Sequence, residues 1–132
     1  MKYDREYTPE MISDLKENEI FVFGSNLGGF HAGGAARAAL NRFGAVWGQG
    51  VGLQGRSYAI PTMHGGVDVI KPYVDEFVNF AREHQEYKFL VTRIGCGIAG
   101  FTVDQMAPLF KGAMELENVI LPRDFVQVIN AI

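Results

Sequence analysis

The chain has 132 residues, 48% of them hydrophobic and 20% charged, with a net charge of −3. That is the size and balance of one globular domain, 1–132, and the acidic excess excludes a broad electrostatic footprint for nucleic acid. A single cysteine excludes an internal disulfide and a cysteine-rich zinc site, and no apolar run reaches the length of about 18 residues that marks a membrane span.

Residues 1–10 are polar and lack the apolar core of a signal peptide, so a cytoplasmic location without a membrane partner is expected. The 3 histidines are dispersed and no carboxylate pair has ligand spacing, so neither a metal nor a cofactor is expected.

In chain order, Thr8-Pro9-Glu10 combines an N-cap, a proline at the first helical position and an early acid, which predicts a helix to about Lys16. The apolar run "IFVF" at 20–23 predicts a strand ending at Gly24. An Ala-rich helix follows over 34–42, then a short strand over 57–60 stopped by Pro61. Ile70, Tyr73, Val74, Phe77 and Phe80 fall at helical spacing within a predicted helix over 69–84. A strand over 89–94, a helix over 102–114 with a Thr102/Gln105 capping box, a strand over 119–121 and a short helix over 123–129 complete the chain. Apolar strands separated by helices belong in a mainly parallel (mixed) sheet covered on both faces, a three-layer α/β/α sandwich.

Of the 16 glycines, 10 fall between Gly24 and Gly55, mixed with aromatic and aliphatic residues rather than with the serines of a flexible linker. Gly50-Val51-Gly52-Leu53-Gln54-Gly55 matches the G-x-G-x-x-G dinucleotide pattern, but it follows a helix and leads into a strand. A Rossmann fingerprint needs the reverse order, because the pyrophosphate sits on the N-terminus of the following helix. The match is accidental, and no Gly-Lys-Ser/Thr phosphate loop occurs.

Two other stretches have the right context. Residues 21–39, "FVFGSNLGGFHAGGAARAA", and 91–106, "VTRIGCGIAGFTVDQM", each read as strand, glycine-rich loop and helix. In an open α/β sheet, ligands bind beyond the carboxyl ends of the strands. Bare backbone N–H groups and helix N-termini there suit an anion, and glycine lets a diphosphate approach the backbone. Tight turns alone would also explain each loop.

At these loops the sequence resembles the macrodomain family, which binds ADP-ribose. Gly24-Ser25-Asn26, Gly28-Gly29 and Gly33-Gly34-Ala35-Ala36 look like its asparagine and glycine-rich run opening an Ala-rich helix. "TRIGCGIAGF" at 92–101 is similar to its diphosphate loop, with Arg93 where proline or another residue is usual. Phe43-Gly44, Gln54-Gly55 and Pro61-Thr62 match in order the branch that removes ADP-ribose from nucleic-acid bases. The likeness spans roughly residues 20–122. Met63 stands where that branch has its catalytic lysine, and Ala99 where some members have an aspartate. Methionine is neither a nucleophile nor a proton carrier, so binding is better supported than hydrolysis.

The resemblance implies a ligand set of Gly24, Ser25, Asn26, Gly28, Gly29, His31, Gly33, Gly34 and Ala35 in the first loop. Thr62 follows the middle strand, and Arg93, Gly95, Cys96, Gly97, Ile98, Ala99, Gly100 and Phe101 form the second loop. Gln49 and Gln54 read a base edge or a ribose hydroxyl. Asn26 contacts the ribose or orients a water, or else caps its own loop. His31 is the candidate general acid/base, against a solvated loop histidine; His64 is a second candidate. Cys96 is a nucleophile if a base approaches, otherwise a packed small residue. Phe30, Trp47 and Phe101 stack on adenine or fill the core, and Arg93 pairs with phosphate or with Asp104.

Three functions follow. One is a module that binds ADP-ribose, or a macromolecule carrying it. The second is an ADP-ribosyl hydrolase using Asn26 and His31, and the third is a protein-interaction module built on Phe30 and Trp47.

Overall fold

A computed structural model describes residues 5–132. Five strands form one mixed sheet: β1 (Glu19–Ser25), β2 (Gly52–Gln54), β3 (Ser57–Pro61), β4 (Lys88–Val91) and β5 (Val119–Ile120), in the order β2-β3-β1-β4-β5. β3, β1, β4 and β5 run parallel, and β2 pairs antiparallel with β3 at the edge. The α/β class is as expected from the alternation of strand and helix.

Alternate residues of β1 serve opposite faces, as the pleat requires. Phe21 and Phe23 pack with Ala36, Ala39 and Phe43, so helix α1 (Gly34–Arg42) lies on one face. Ile20 and Val22 pack with the other face's helices, α2 (Val67–Glu83), α3 (Val103–Met106) and α4 (Arg123–Asn130). Phe77, Phe89, Phe110 and Phe125 are fully buried in this larger core. Each such side chain contributes about 1.5–3 kcal/mol of burial. Among the described residues, no helix is long and apolar enough to cross a membrane.

Three elements differ from expectation. The segment 8–16 is not helical. Tyr7 bridges to Leu121, the Thr8 amide donates to Leu121 O at 2.9 Å, and the Thr8 hydroxyl donates to Ile120 O at 2.9 Å. This pairing with the sheet edge satisfies backbone that a helix would otherwise use, while Ile12 and Leu15 pack on the α1 side. The helix over 102–114 opens with its capping box intact but becomes a 3-10 segment, Ala107–Glu115. Pro108, which has no N–H and crowds the carbonyl four residues back, accounts for the change.

The third is β2, which the sequence reading lacked. The accidental fingerprint is an edge strand plus a two-residue turn, since Gln54 pairs with Ser57. Gly55 takes the first turn position at φ +60°, and a Cβ there would lie 2.5 Å from Gly44 O, so only glycine fits. At the opposite edge of the sheet, the Asn118 amide donates to Ala81 O, His84 O and Tyr87 O, tying the end of α2 to the start of β5.

Candidate functional site

Beyond the carboxyl ends of β1, β3 and β4 lies a cleft of about 460 Å³. One wall is Gly24–Asn26 with Phe30 and residues 32–36; the other is residues 92–95 and 97–99; Thr62 and Met63 follow β3 between them. The two glycine-rich loops therefore share one space. They also approach closely: a Cβ on Gly24 would lie 3.6 Å from Gly95 N, and one on Gly33 would lie 3.3 Å from Ile98 Cδ1.

Residues with unspent backbone donors line this region on both sides. α1 begins at Gly34 after Gly33, which is extended (φ −152°) and supplies no side-chain cap. The first-turn amides of Gly34, Ala35 and Ala36 have no carbonyl four residues back within the helix. In the second loop, Cys96 N and Gly100 N are spent inside the turn on Arg93 O and Gly97 O, at 3.1 and 3.0 Å. The amides of Gly97, Ile98 and Ala99 donate to no group among the described residues. Unspent N–H groups at a helix N-terminus suit a phosphate.

Arg93 is the one titratable side chain among the described residues lining the cleft. Its Nε donates to Asp124 at 2.8 Å, with Glu10 at 3.6 Å, rather than to Asp104. The hydrogen bond to Asp124 comes first in holding the guanidinium above its ordinary pKa. Its charge is paired within the protein, which leaves the backbone amides as the unpaired donors lining the cleft.

Of the expected ligand set, Gly24, Ser25, Asn26, Gly33, Gly34, Ala35, Thr62, Arg93, Gly95, Gly97, Ile98 and Ala99 come together here. The Asn26 side chain is already committed: Oδ1 accepts from Phe30 N at 2.9 Å and Nδ2 donates to Phe30 O at 3.1 Å, clipping the loop. Ser25 donates its hydroxyl to Gly50 O and is buried.

Others lie elsewhere. His31 is 0% exposed and does not line the cleft; its ring edge meets Phe23 and its Nε2 meets Gln49 O and Gln54 Oε1. A general acid or base must reach its substrate, and a ring enclosed in this way does not. The Gln49 side-chain amide donates to Val51 O and Leu53 O and that of Gln54 to Gln49 O and Gly52 O, holding the loop that precedes β3. Gly28 and Gly29 shape the turn behind Phe30, with Gly29 O accepting from Gly48 N at 2.9 Å. Gly100 and Phe101 leave the cleft, and Phe101 packs on the larger core. Cys96 also packs there, and burial pushes its thiol pKa up, away from nucleophilic character. His64 is exposed and accepts from Leu27 N at 2.8 Å.

A second cavity of about 970 Å³ adjoins the cleft between α1, residues 7–12 and the start of α4, and shares Gly34, Ala35, Thr92 and Arg93 with it. It lacks the loop 94–99, so the smaller cleft is the candidate site. Among the described residues, no three His, Cys, Asp or Glu side chains cluster as metal ligands. Sequence reasoning named Phe30 and Trp47 as an exposed patch, and both are exposed, but it missed that Leu27, Val46, Met63 and Ile98 are exposed as well, because which side chains remain uncovered is decided by the tertiary fold. Comparison of the chain with protein-family models, with curated proteins and with solved structures finds no match.

Proposed function

We propose that this cleft binds ADP-ribose or a related NAD-derived nucleotide, free or attached to a macromolecule, in a macrodomain-like α/β/α sandwich. One observation carries the reading. The loops after β1 and β4 line a common cleft and bring unspent amides to it from Gly34–Ala36 and from residues 97–99. A volume of about 460 Å³ is that of a small-molecule pocket. Neutral amides and a helix N-terminus bind a diphosphate without adding cations, in keeping with a net charge of −3.

Binding is favoured over turnover by the groups at hand. Met63 lines the cleft where the resemblance leads one to look for a lysine, and a thioether moves no proton. Asn26 is engaged with Phe30, and His31 is enclosed behind the first loop. Hydrolysis would have to rely on a water held by backbone alone.

Calorimetric titration with ADP-ribose, ADP and AMP tests the proposal. Saturable binding is expected, ADP-ribose tightest and AMP weakest, since AMP lacks the second phosphate. No heat at millimolar ADP-ribose would refute it.

A further inference from the structure

The larger cavity, of about 970 Å³, adjoins the cleft along the start of α1, where Gly34 and Ala35 line both. Its walls differ in charge from those of the cleft. Four of the chain's seven arginines line it, Arg37, Arg42, Arg93 and Arg123, and no lysine does. Glu10 and Asp124 are the carboxylates among the described residues on these walls. Four cations against two anions leave +2, in a chain whose net charge is −3. A cavity lined by one sign of charge concentrates ligands of the other.

Both carboxylates are spent on one cation. Arg93 Nε donates to Asp124 at 2.8 Å, and Arg93 Nη2 lies 3.6 Å from Glu10. Arg37, Arg42 and Arg123 form no ion pair among the described residues. The Arg123 guanidinium lies over the Tyr7 ring, 4.7 Å from its centroid, which holds it without neutralising it. A guanidinium presents a planar fork of N–H donors matched to phosphate and sheds water more readily than an ammonium. Arginine without lysine therefore suits a phosphoryl group. Helix α4 also begins on this wall, at Pro122–Asp124, without a side-chain cap, and adds first-turn amides.

Charge and spacing narrow the ligand. An excess of two charges matches one phosphomonoester, which carries about −1.5 to −2 at neutral pH. A polynucleotide strand would need a longer track of cations. Arg37 lies about 4.5 Å along the α1 axis beyond Gly34, where the diphosphate reading places its anion. So short a step puts the further phosphate on the same ligand, about one sugar away. An arginine near the ribose is also how dinucleotide-binding folds accommodate the 2′-phosphate that distinguishes NADP from NAD. We propose that the arginine-lined cavity binds a phosphomonoester on the adenosine ribose, at its 2′ or 3′ oxygen, so that the domain prefers a ligand with three phosphates to plain ADP-ribose. The inference rests on the nucleotide reading of the cleft.

Calorimetry compares ADP-ribose with ADP-ribose 2′-phosphate, and AMP with adenosine 2′,5′-bisphosphate and adenosine 3′,5′-bisphosphate. The added phosphate is expected to tighten binding about 10-fold, with the gain shrinking as salt rises. Arg37 and Arg123 are exposed and glutamine suits a helix, so Arg37→Gln and Arg123→Gln should fold, which thermal melts check. Each substitution is expected to cut the gain by about threefold or more, and the double variant to bring it near one. A gain confined to the 2′ isomers assigns the ligand to NADP chemistry, and one confined to the 3′ isomer keeps the cavity and moves the phosphate. The proposal is overturned if neither isomer gains, or if the gain survives in the double variant. Failure of ADP-ribose to bind refutes the cleft reading by itself. The bisphosphates then judge the cavity alone: an arginine-dependent gain over AMP sustains it, and no gain ends it.

Discussion

His31 Nε2 lies 3.1 Å from Gln54 Oε1 and 3.0 Å from Gln49 O, with both side chains buried. Both partners are acceptors there, so Nε2 carries a hydrogen, while Nδ1 is buried without a partner. Gln54 completes the network by accepting from Val46 N and donating to Gln49 O. The histidine thus fastens the first glycine loop to the loop preceding β3. His31→Ala is expected to lower unfolding free energy by about 2–4 kcal/mol, from the lost buried hydrogen bonds and the cavity beside Phe23. Urea denaturation measures it. A variant of unchanged stability would contradict the fastening role.

Gly29 sits where those two loops touch. Its φ is +70°, and a Cβ would overlap Gln49 N and the backbone of Gly48. Gly29→Ala should therefore cost more than about 2 kcal/mol, from left-handed strain and from separation of the loops. Gly97 has open space around its would-be Cβ and no left-handed φ. Gly97→Ala should change stability by less than about 0.5 kcal/mol. Paired thermal melts test the contrast, and equal losses would show that the loop contact is not what holds Gly29.

The long-range frame was legible where local and tertiary preference agree. The apolar run at 20–23 becomes the sheet's middle strand, and the Thr102/Gln105 capping box forms as spaced. The helix signal at Thr8-Pro9-Glu10 fails because Tyr7 and Thr8 find partners on Leu121 and Ile120, more than a hundred residues away, which no local pattern encodes. β2 escaped notice because three residues starting with glycine carry little strand signal; its pairing is imposed by the turn at Gly55. In the site, glycine spacing after a strand located both cleft walls. It did not reveal which polar side chains face inward. His31, Gln49 and Gln54 look like ligand groups in the sequence, yet each is used to hold a charge-free loop together. Their position in that uncharged run was the available signal, since buried polar groups need partners.

Tyr58 predicts the alkaline behaviour. Its ring is buried against Phe77 and Phe80, and its pKa is pushed up to about 12, first by burial and then by the charge of Glu76. The folded state therefore keeps this proton after the unfolded chain, with its ordinary value of about 10, has released it. The contribution is fully present below pH 10 and declines as pH rises toward 12. Tyr58→Phe has no proton to lose there, so its stability should fall less over this interval than that of the parent. Chemical denaturation at intervals across it checks the sign, because the other titrating groups are common to both proteins. Parallel curves would remove Tyr58 from the alkaline loss.

Gly33 separates the stability of the first loop from its use. It occupies the N-cap of α1 in an extended conformation open to any residue, without a side-chain cap. Aspartate is a better N-cap than glycine by a few tenths of a kcal/mol, because its carboxylate accepts from the second or third helical amide and favours the positive end of the dipole. In this helix those amides belong to Ala35 and Ala36, on the wall of the cleft. Gly33→Asp should therefore melt no lower than the parent while losing ADP-ribose affinity by about 30-fold or more, since a fixed anion then occupies and repels the place of the bound one. Gly33→Asn caps with a neutral group of similar size. It should retain more affinity than the aspartate, and the gap should narrow as salt screens the repulsion. Melting curves and titrations at two ionic strengths decide the matter. An aspartate variant that binds as well as the parent would mean that the phosphates do not sit on α1.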